Sequence, residues 1–498
     1  MKRIIASILI VALVLSFAIF ALSGCRRKGV APDFVMPEGG LTTEPITITF
    51  YHSMGAQLQE ILNTAIADFN VLYPNITVEH ESYGNYDGVR DQIKTEISVG
   101  NQPNIAYCYP DHIALYNVAG AVQTLDVLIN DPTYGYTQEQ LDDFIQGYYE
   151  EGRAFGDGKM YSLPISKSTE VLYYNKTEFD NWAKIYSSPQ LPNAEGVLED
   201  NPNYQNEAYN IKVPTTWEEM KEACQKIKAI YPNCIPLGYD SESNWFITMC
   251  EQYGSPYTSA TGENFLFNNE TNRAFIEEFR TWYDNKWVTT EALSGGYTSS
   301  LFTGESSTSN SESSVPAGTR CYMCIGSTGG ATYQQPSQTN GKFEFEVGIT
   351  SIPQVNPEAP KVITQGPSVC IFKKDNAQEV LASFLFVKFL TTDHAFQGAV
   401  SMNNGYAPVI KSIEENPVYA EFLASASTEN IQAYAVKVAL EQSDAYYVSP
   451  AFNGSSVERD QVGLLLQRCF TEATTDVKAM IKRAFEECVA KCKYEAGQ

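Results

Sequence analysis

The chain has 498 residues, of which 43% are hydrophobic and 19% are charged. This composition is typical of a folded globular protein and excludes a disordered one, and the length allows two or three domains. The 59 acidic residues outnumber the 34 basic ones, for a net charge of −25, which excludes nucleic acid as a partner because the phosphate backbone would be repelled.

An apolar segment opens the chain. Lys2 and Arg3 precede an uncharged run from Ile4 to Leu22, and two small residues lead to Cys25. This is the layout of an export signal. Because a cysteine stands at the cleavage point, the segment resembles a bacterial lipoprotein signal, in which residues 1–24 are removed and Cys25 carries lipid. An uncleaved helical anchor is the alternative. Both place the rest of the chain outside the cytoplasm, periplasmic or at the cell surface, and held at the membrane.

Residues 25–45 contain several prolines and glycines without hydrophobic periodicity, which predicts a linker. From Ile46 the spacing of apolar residues alternates between the periods of strands and helices. The order is a strand, a helix that ends before Pro74, a second strand, a second helix, and a third strand that reaches Tyr109. This βαβαβ succession predicts an α/β fold with a parallel sheet and helices on its faces.

Helical spacing dominates the later half of the chain. A capping box marks a helix start at Thr216, and longer helical runs cover residues 271–287, 376–392 and 457–492. The segment Gly304–Gly318 holds six serines and is predicted to be a mobile insertion. No fixed period repeats along the chain, which excludes solenoid and propeller folds.

Ten cysteines follow Cys25. Their scattered positions form no disulfide framework, and a domain of this size needs none, so most are predicted to be buried free thiols. Cys321 and Cys324 form a CxxC pair in a segment with strand character, where the two side chains would face opposite sides. No metal site is predicted.

Motifs for catalysis are missing from the sequence. The four histidines have no zinc-binding spacing, no GxSxG elbow occurs, and neither Gly-Lys pair belongs to a P-loop. The sequence therefore predicts neither a cofactor nor an enzyme. An exported carbohydrate hydrolase with a carboxylate pair stays open as the alternative. The 31 tyrosines and five tryptophans, many in loops, offer rings and polar tips that suit a small polar ligand.

Eight short strings follow one another along the chain: Phe50-Tyr-His-Ser-Met54, Gly84-Asn-Tyr86, Gly100-Asn-Gln-Pro103, Ser168-Thr-Glu-Val-Leu-Tyr-Tyr-Asn175, Pro214-Thr-Thr-Trp-Glu218, Gly238-Tyr239, Gly326-Ser-Thr-Gly329 and Gly405-Tyr-Ala-Pro408. In this order, over about residues 46–455, they resemble the extracellular solute-binding proteins (family 1) of ABC importers. The resemblance is closest to the branch that binds glycerol-3-phosphate and glycerophosphodiesters.

The resemblance implies an α/β fold of two hinged lobes, the type II periplasmic-binding-protein fold, with the ligand cleft between the lobes. It assigns residues 46–163 and about 315–363 to the N-terminal lobe. It assigns residues 164–314 and about 364–498 to the C-terminal lobe.

The resemblance also implies a set of ligand-binding residues: His52, Tyr86, Asp111, Ser168, Trp245, Ser327, Thr328, Gly366, Tyr406 and Arg459. Trp245 is expected to stack on the ligand. Asp111 is a shifted candidate, because Pro110 stands where the family has an acid.

The phosphate-binding relatives have an arginine near the position of Asn453-Gly-Ser-Ser456, and no arginine aligns there in this chain. A phosphate prefers a guanidinium, which combines charge with two directed hydrogen bonds. Arg459, three residues farther on, is the candidate substitute, and Lys167 is another candidate cation. Without them a neutral sugar or a zwitterionic diester is favoured.

The sequence therefore predicts a lipid-anchored, monomeric solute receptor of an ABC importer. Its solute is small and polyol-like: a sugar, glycerol-3-phosphate or a glycerophosphodiester. Its partners are that solute and the permease subunits in the membrane.

Overall fold

A computed structural model describes residues 31–304, 315–316 and 318–497. The predicted signal peptide, Cys25 and most of the serine-rich insertion lie outside these described residues. None of the helices in the described ranges combines the length and the apolar character that crossing a membrane requires.

The strands, in chain order, are β1 (Ile46–His52), β2 (Ile76–Ser82), β3 (Ile105–Cys108), β4 (Leu163–Pro164), β5 (Ser168–Asn175), β6 (Gln190–Pro192), β7 (Leu198–Asp200), β8 (Leu237–Tyr239), β9 (Val288–Thr290), β10 (Met323–Ser327), β11 (Gln338–Thr339), β12 (Lys342–Phe343), β13 (Val347–Ser351), β14 (Val362–Gln365), β15 (Ser368–Ile371) and β16 (Tyr446–Tyr447).

The α-helices are α1 (Ala56–Leu72), α2 (Tyr86–Ile97), α3 (Pro110–Asn117), α4 (Asp126–Ile129), α5 (Gln138–Asp143), α6 (Gln146–Tyr149), α7 (Lys176–Ser187), α8 (Trp217–Ile230), α9 (Glu242–Gln252), α10 (Glu270–Asp284), α11 (Glu291–Ser294), α12 (Ser299–Thr303), α13 (Ala377–Thr392), α14 (His394–Asn404), α15 (Pro417–Ala424), α16 (Ile431–Glu441), α17 (Ser455–Thr471) and α18 (Val477–Glu495). Short 3-10 helices lie at Glu150–Arg153, Glu207–Tyr209, Thr328–Gln334, Ser412–Glu415 and Ser443–Ala445.

The first lobe is built on a five-stranded sheet in the order β2-β1-β3-β15-β4. Strands β1, β2 and β3 are parallel, as the βαβαβ pattern predicts, whereas β15 runs antiparallel to β3 and β4. In β1 the apolar residues Ile46, Ile48 and Phe50 are buried and alternate with more exposed ones, because successive side chains of a strand point to opposite faces. Helices α1 and α13 cover one face of this sheet.

The second lobe is built on a larger sheet in the order β16-β14-β5-β10-β8-β9, with β13 paired to β5. Strands β8, β9 and β10 are parallel, and the long strand β5 runs antiparallel to β10. Helices α8, α9, α10, α17 and α18 contribute the core of this lobe. The predicted helical run of residues 457–492 is two helices, because the chain leaves helical geometry after Thr471 and restarts at Val477.

The α/β two-lobe fold is thus as predicted, but the lobe assignment along the chain needs correction. Residues 315–363 were expected in the N-terminal lobe, whereas β10, β13 and β14 all join the second sheet. Part of the segment from about 364 was expected in the C-terminal lobe, whereas β15 pairs with β3 and α13 packs on the first sheet. The hydrogen-bonding partners of these strands are far away in sequence, and periodicity does not reveal them.

The ten cysteines of the described ranges are all buried, and none forms a disulfide there, which confirms the free-thiol prediction. In those ranges no group of three His, Cys, Asp or Glu side chains is arranged to hold a metal ion.

Candidate ligand-binding cleft

A cavity of about 720 Å³ lies between the two lobes, where the chain crosses from one sheet to the other. This volume is within the range of about 300–1,000 Å³ typical of small-molecule sites. Both lobes and the crossing strands β5 and β14 contribute side chains to its wall. A ligand in the cavity would therefore touch both lobes at once.

Tyrosines form the wall on the side of the first lobe. Tyr86 begins α2, whose N-terminus is capped by the Asn85 side chain, and Tyr109 directly follows β3. The ring of Tyr86 lies 4.5 Å from that of Tyr109 and 5.8 Å from that of Tyr107, centroid to centroid. Tyr406 follows α14 and lines the same cavity. These rings present apolar faces with hydroxyl tips.

The wall on the side of the second lobe is formed at the carboxyl ends of parallel strands. Asp240 directly follows β8, Glu291 directly follows β9, and Ser327 is the last residue of β10. Ligands of α/β sheets bind at this edge, because the strand ends and the loops after them converge there.

Glu170, on the crossing strand β5, is buried and lines the cavity. Its carboxylate accepts hydrogen bonds from Tyr239 Oη at 2.6 Å and from Asn244 Nδ2 at 2.9 Å. Burial raises the pKa of Glu170 from 4.5 to about 7, although these two hydrogen bonds act in the opposite direction. Near neutral pH this group therefore changes between a carboxylate and a carboxylic acid.

Arg459, in the first turn of α17, stands at the junction of this cavity and a smaller one of about 100 Å³. Its guanidinium donates a hydrogen bond to Asn244 Oδ1, and Asn244 in turn donates to Glu170. Arg459 is the one basic side chain on the wall of the main cavity among the described residues, against the carboxyl groups of Glu170, Asp240 and Glu291.

The raised pKa of Glu170 leads to a prediction about stability. Between pH 4.5 and about 7 the folded protein holds a proton that the unfolded chain has released, so the free energy of unfolding falls as the pH rises. The contribution is of the order of 3 kcal/mol, at about 1.4 kcal/mol per pKa unit. In urea denaturation over that pH window, the wild type should lose more stability than Glu170→Gln, by about this amount, because the glutamine has no proton to release. Parallel pH profiles of the two proteins would contradict it.

Five of the predicted ligand-binding residues line the cavity: Tyr86, Ser168, Ser327, Tyr406 and Arg459. They come from both lobes and from the crossing strand β5. Their contact with a ligand stays a prediction.

Trp245, predicted to stack on the ligand, does not line the cavity. Its side chain is 0% exposed and packs in the core of the second lobe, 5.0 Å from the ring of Tyr239 and 4.2 Å from that of Phe279. Helix α9 turns Trp245 inward and presents Ser243 and Asn244 to the cavity instead. The stacking role of Trp245 is therefore wrong.

His52 and Asp111 also lie away from the cavity. His52 is fully buried at the end of β1, where Nδ1 accepts from Met54 N and Nε2 lies 2.9 Å from Nδ1 of His80. Burial lowers the pKa of His52 to about 4, so the ring is neutral and structural. Asp111, in the first turn of α3, lines the smaller cavity, because the residue before the helix, Tyr109, takes the place on the main wall.

Thr328 and Gly366 pack against the crossing strands and do not line the cavity. Thr328 is fully buried, and its hydroxyl accepts a hydrogen bond from Thr169 N at 3.3 Å. Gly366 has φ +92, and a Cβ there would come within 2.8 Å of Ser166 O. Only glycine fits this close approach, which is made by the neighbouring backbone.

Lys167, the other candidate cation, is not available to a ligand. It is 0% exposed and forms an ion pair with Glu151, and it also donates to Gly366 O at 3.1 Å and Ser368 Oγ at 3.0 Å. This pair is buried where the chain crosses between the lobes.

Sequence reasoning missed the polar residues of the second lobe, chiefly Glu170, Asp240, Asn244, Glu291 and Gln334, and two exposed tyrosines of the cavity wall, Tyr297 and Tyr333. Positions directly after short strands are the signal that would have found Asp240 and Glu291. The others have no comparable signal.

Comparison with known proteins agrees with this geometry. The family model for bacterial extracellular solute-binding proteins matches residues 64–426. The sn-glycerol-3-phosphate-binding periplasmic proteins UgpB of Salmonella typhimurium and Escherichia coli (strain K12) are 26% and 25% identical to the chain over 195 residues. That segment is 39% of this chain and 38% of the length of each relative.

Solved structures show the same two-lobe fold. UgpB from Mycobacterium tuberculosis, in complex with glycerophosphocholine, superposes with a TM-score of 0.66 at 16% identity. The cyclic alpha-maltosyl-1,6-maltose binding protein from Arthrobacter globiformis superposes with a TM-score of 0.64, also at 16% identity. Each comparison covers 90% of this chain and 99% of the other. The chain belongs to the bacterial extracellular solute-binding proteins, a family of binding proteins and not of enzymes.

Proposed function

We propose that this protein is the lipid-anchored solute receptor of an ABC importer and binds a small, hydroxyl-rich solute between its lobes. The observation that carries the proposal is the cavity of about 720 Å³, whose wall includes Tyr86 and Tyr406 of the first lobe and Asp240 and Glu291 of the second. A ligand that contacts both lobes stabilises the closed arrangement, so binding shifts the population toward the form that a permease recognises.

The charges of the cavity favour a carbohydrate over glycerol-3-phosphate. Carboxyl groups of Glu170, Asp240 and Glu291 accept hydrogen bonds from hydroxyl groups and repel a phosphate, whereas Arg459 is already hydrogen-bonded to Asn244. A glycerophosphodiester is the second candidate, because Arg459 faces the cavity and the UgpB structure from M. tuberculosis holds glycerophosphocholine.

Exposed tyrosines supply the stacking surface that Trp245 does not. The side chain of Tyr297 is 64% exposed and that of Tyr333 is 75% exposed, and both line the cavity. An exposed ring costs little stability when it is removed, so its loss affects the ligand and not the fold.

The test is calorimetry and thermal shift of the purified full-length protein with maltose, cellobiose, glycerol-3-phosphate and glycerophosphocholine. We expect a sugar or the diester to bind, and we expect Tyr297→Ala to weaken that binding by about 1–2 kcal/mol, the range for losing an aromatic contact. Tyr494→Ala is the matched control, because Tyr494 is 84% exposed and lies on α18 away from the cavity. Equal effects of the two variants, or tight binding of glycerol-3-phosphate alone, would contradict the assignment.

We propose that Cys25, which follows the predicted export signal, carries the lipid anchor. Metabolic labelling with a radioactive or alkyne fatty acid should mark the wild type and leave Cys25→Ser unlabelled.

A further inference from the structure

One end of the cavity is acidic. At this end Gln334 lies against Asp240, and the carboxyl groups of Asp240 and Glu291 lie within electrostatic range of each other and of Tyr297. Strands β8 and β9 are parallel neighbours with Tyr239 opposite Thr290, so the next residues, Asp240 and Glu291, emerge side by side at the same sheet edge. Neighbouring strands are about 4.8 Å apart, which keeps the two carboxyl groups in one another's field.

The two carboxyl groups differ in their partners. Asp240 Oδ1 accepts hydrogen bonds from Thr298 N at 2.7 Å and from Thr298 Oγ1 at 2.6 Å. The carboxyl group of Glu291 has no hydrogen bond and no ion pair within the described ranges, and its surroundings add a third acid, Glu242. Burial first, and then Glu242 and Asp240, raise the pKa of Glu291 to about 7.

A buried acceptor at the same end also lacks a donor. Gln334 is 2% exposed, and its Nε2 lies 3.3 Å from Cys324 Sγ and 3.4 Å from Asp240 Oδ2. Its carbonyl Oε1 has no hydrogen-bond partner among the described residues. Buried carbonyl groups are rarely left without a donor, so this oxygen is a second acceptor without a partner beside the carboxyl groups of the acidic end.

No basic side chain serves this end from within the described ranges. The basic side chain of the described cavity wall is Arg459, and its guanidinium is hydrogen-bonded to Asn244, beside Glu170 and not beside Glu291. The serine-rich insertion, which follows α12, contains no lysine or arginine in residues 305–314. The carboxyl group of Glu291 therefore has no cationic partner on the described cavity wall, and a cationic group of the ligand would favour its ionised form.

We propose that the solute carries a protonated amine and that the acidic end of the cavity binds it. The ammonium group has N–H donors for Glu291 and for Gln334 Oε1, and its charge also favours the exposed ring of Tyr297. The solute class is then an amino sugar or another amine-bearing polyol. This inference rests on the proposed function, because it names one substituent of the hydroxyl-rich solute.

The test is calorimetry at pH 7 of the full-length protein with three disaccharides of one linkage. They are the β-1,4-linked glucosamine disaccharide, its di-N-acetylated form and cellobiose, which carry an amine, a neutral amide and a hydroxyl at the same position. The monosaccharides glucosamine, N-acetylglucosamine and glucose provide the same comparison for a ligand of one sugar unit. We expect the amine to bind at least tenfold more tightly than both neutral members.

Glu291→Gln should bring the three affinities within about threefold of one another, because the amide keeps the shape and removes the charge. Glu270→Gln is the matched control: Glu270 is also the first residue of a helix, α10, but is exposed and away from the cavity, and this variant should keep the preference.

Equal affinities in the wild type, or a preference that survives Glu291→Gln, would overturn the amine inference and leave the carbohydrate receptor standing. Binding of no member of either series would overturn both.

Discussion

Replacing Trp245 with alanine is expected to lower the free energy of unfolding by about 3–5 kcal/mol, the cost of removing a large aromatic side chain from a packed core. The indole is 0% exposed and has the rings of Tyr239, Phe279 and Trp217 around it. Urea denaturation monitored by circular dichroism measures the effect.

Tyr297→Ala is the control for Trp245→Ala, because it removes a ring that lines the cavity and is 64% exposed. That variant should unfold within about 0.5 kcal/mol of the wild type, as is usual for surface substitutions. A loss below about 1 kcal/mol for Trp245→Ala, together with lost solute binding, would restore Trp245 to the site.

Lys167→Met is expected to destabilise the protein by about 3–5 kcal/mol, because it leaves the carboxylate of Glu151 buried without its partner. Lys167 is 0% exposed and Glu151 is 4% exposed. The remaining donor to Glu151 is the hydroxyl of Ser368 at 2.9 Å, which cannot balance a full charge. Thermal and urea denaturation at pH 7 measure the change.

The double variant Lys167→Met, Glu151→Gln separates the charge from the packing. With neither charge present, most of the lost stability should return, since replacing a whole buried ion pair is often nearly neutral. Strong destabilisation of the double variant as well would show that the shape of Lys167, and not its charge, holds the crossing strands.

The elements of the first lobe were predictable because they depend on local spacing. Ile46, Ile48 and Phe50 alternate in the sequence and are buried in β1, and the βαβαβ order is observed. The lobe assignment failed where strands pair over long distances: β15 pairs with β3, more than 250 residues earlier in the chain. The sheet to which a strand belongs depends on long-range packing, and local periodicity does not predict which strands pair.

The recognisable strings located only part of the candidate site. Tyr86, Ser168, Ser327 and Tyr406 lie on strings and line the cavity. His52 and Thr328 lie on strings too, but both are fully buried away from the cavity, because a string does not tell which of its side chains faces the cleft. The stacking role predicted for Trp245 was wrong because the residue type and its approximate position do not tell which face of α9 packs against the core. Lys167 was misjudged for a related reason: a lysine in a sequence is expected at the surface, and its buried partner Glu151 is close in space only after folding.

By itself the sequence predicted an export signal and determined the alternation of strands and helices, the absence of catalytic motifs and the membership of a solute-binding family, because these depend on residue order and local spacing. Only the tertiary structure decided which side chains share the cavity, that its wall has more carboxyl groups than basic ones, and that Glu291 stands there without a partner. Those properties arise where residues distant in sequence meet at the ends of parallel strands, and the exposure, charge balance and hydrogen bonding of a side chain are defined only by such neighbours.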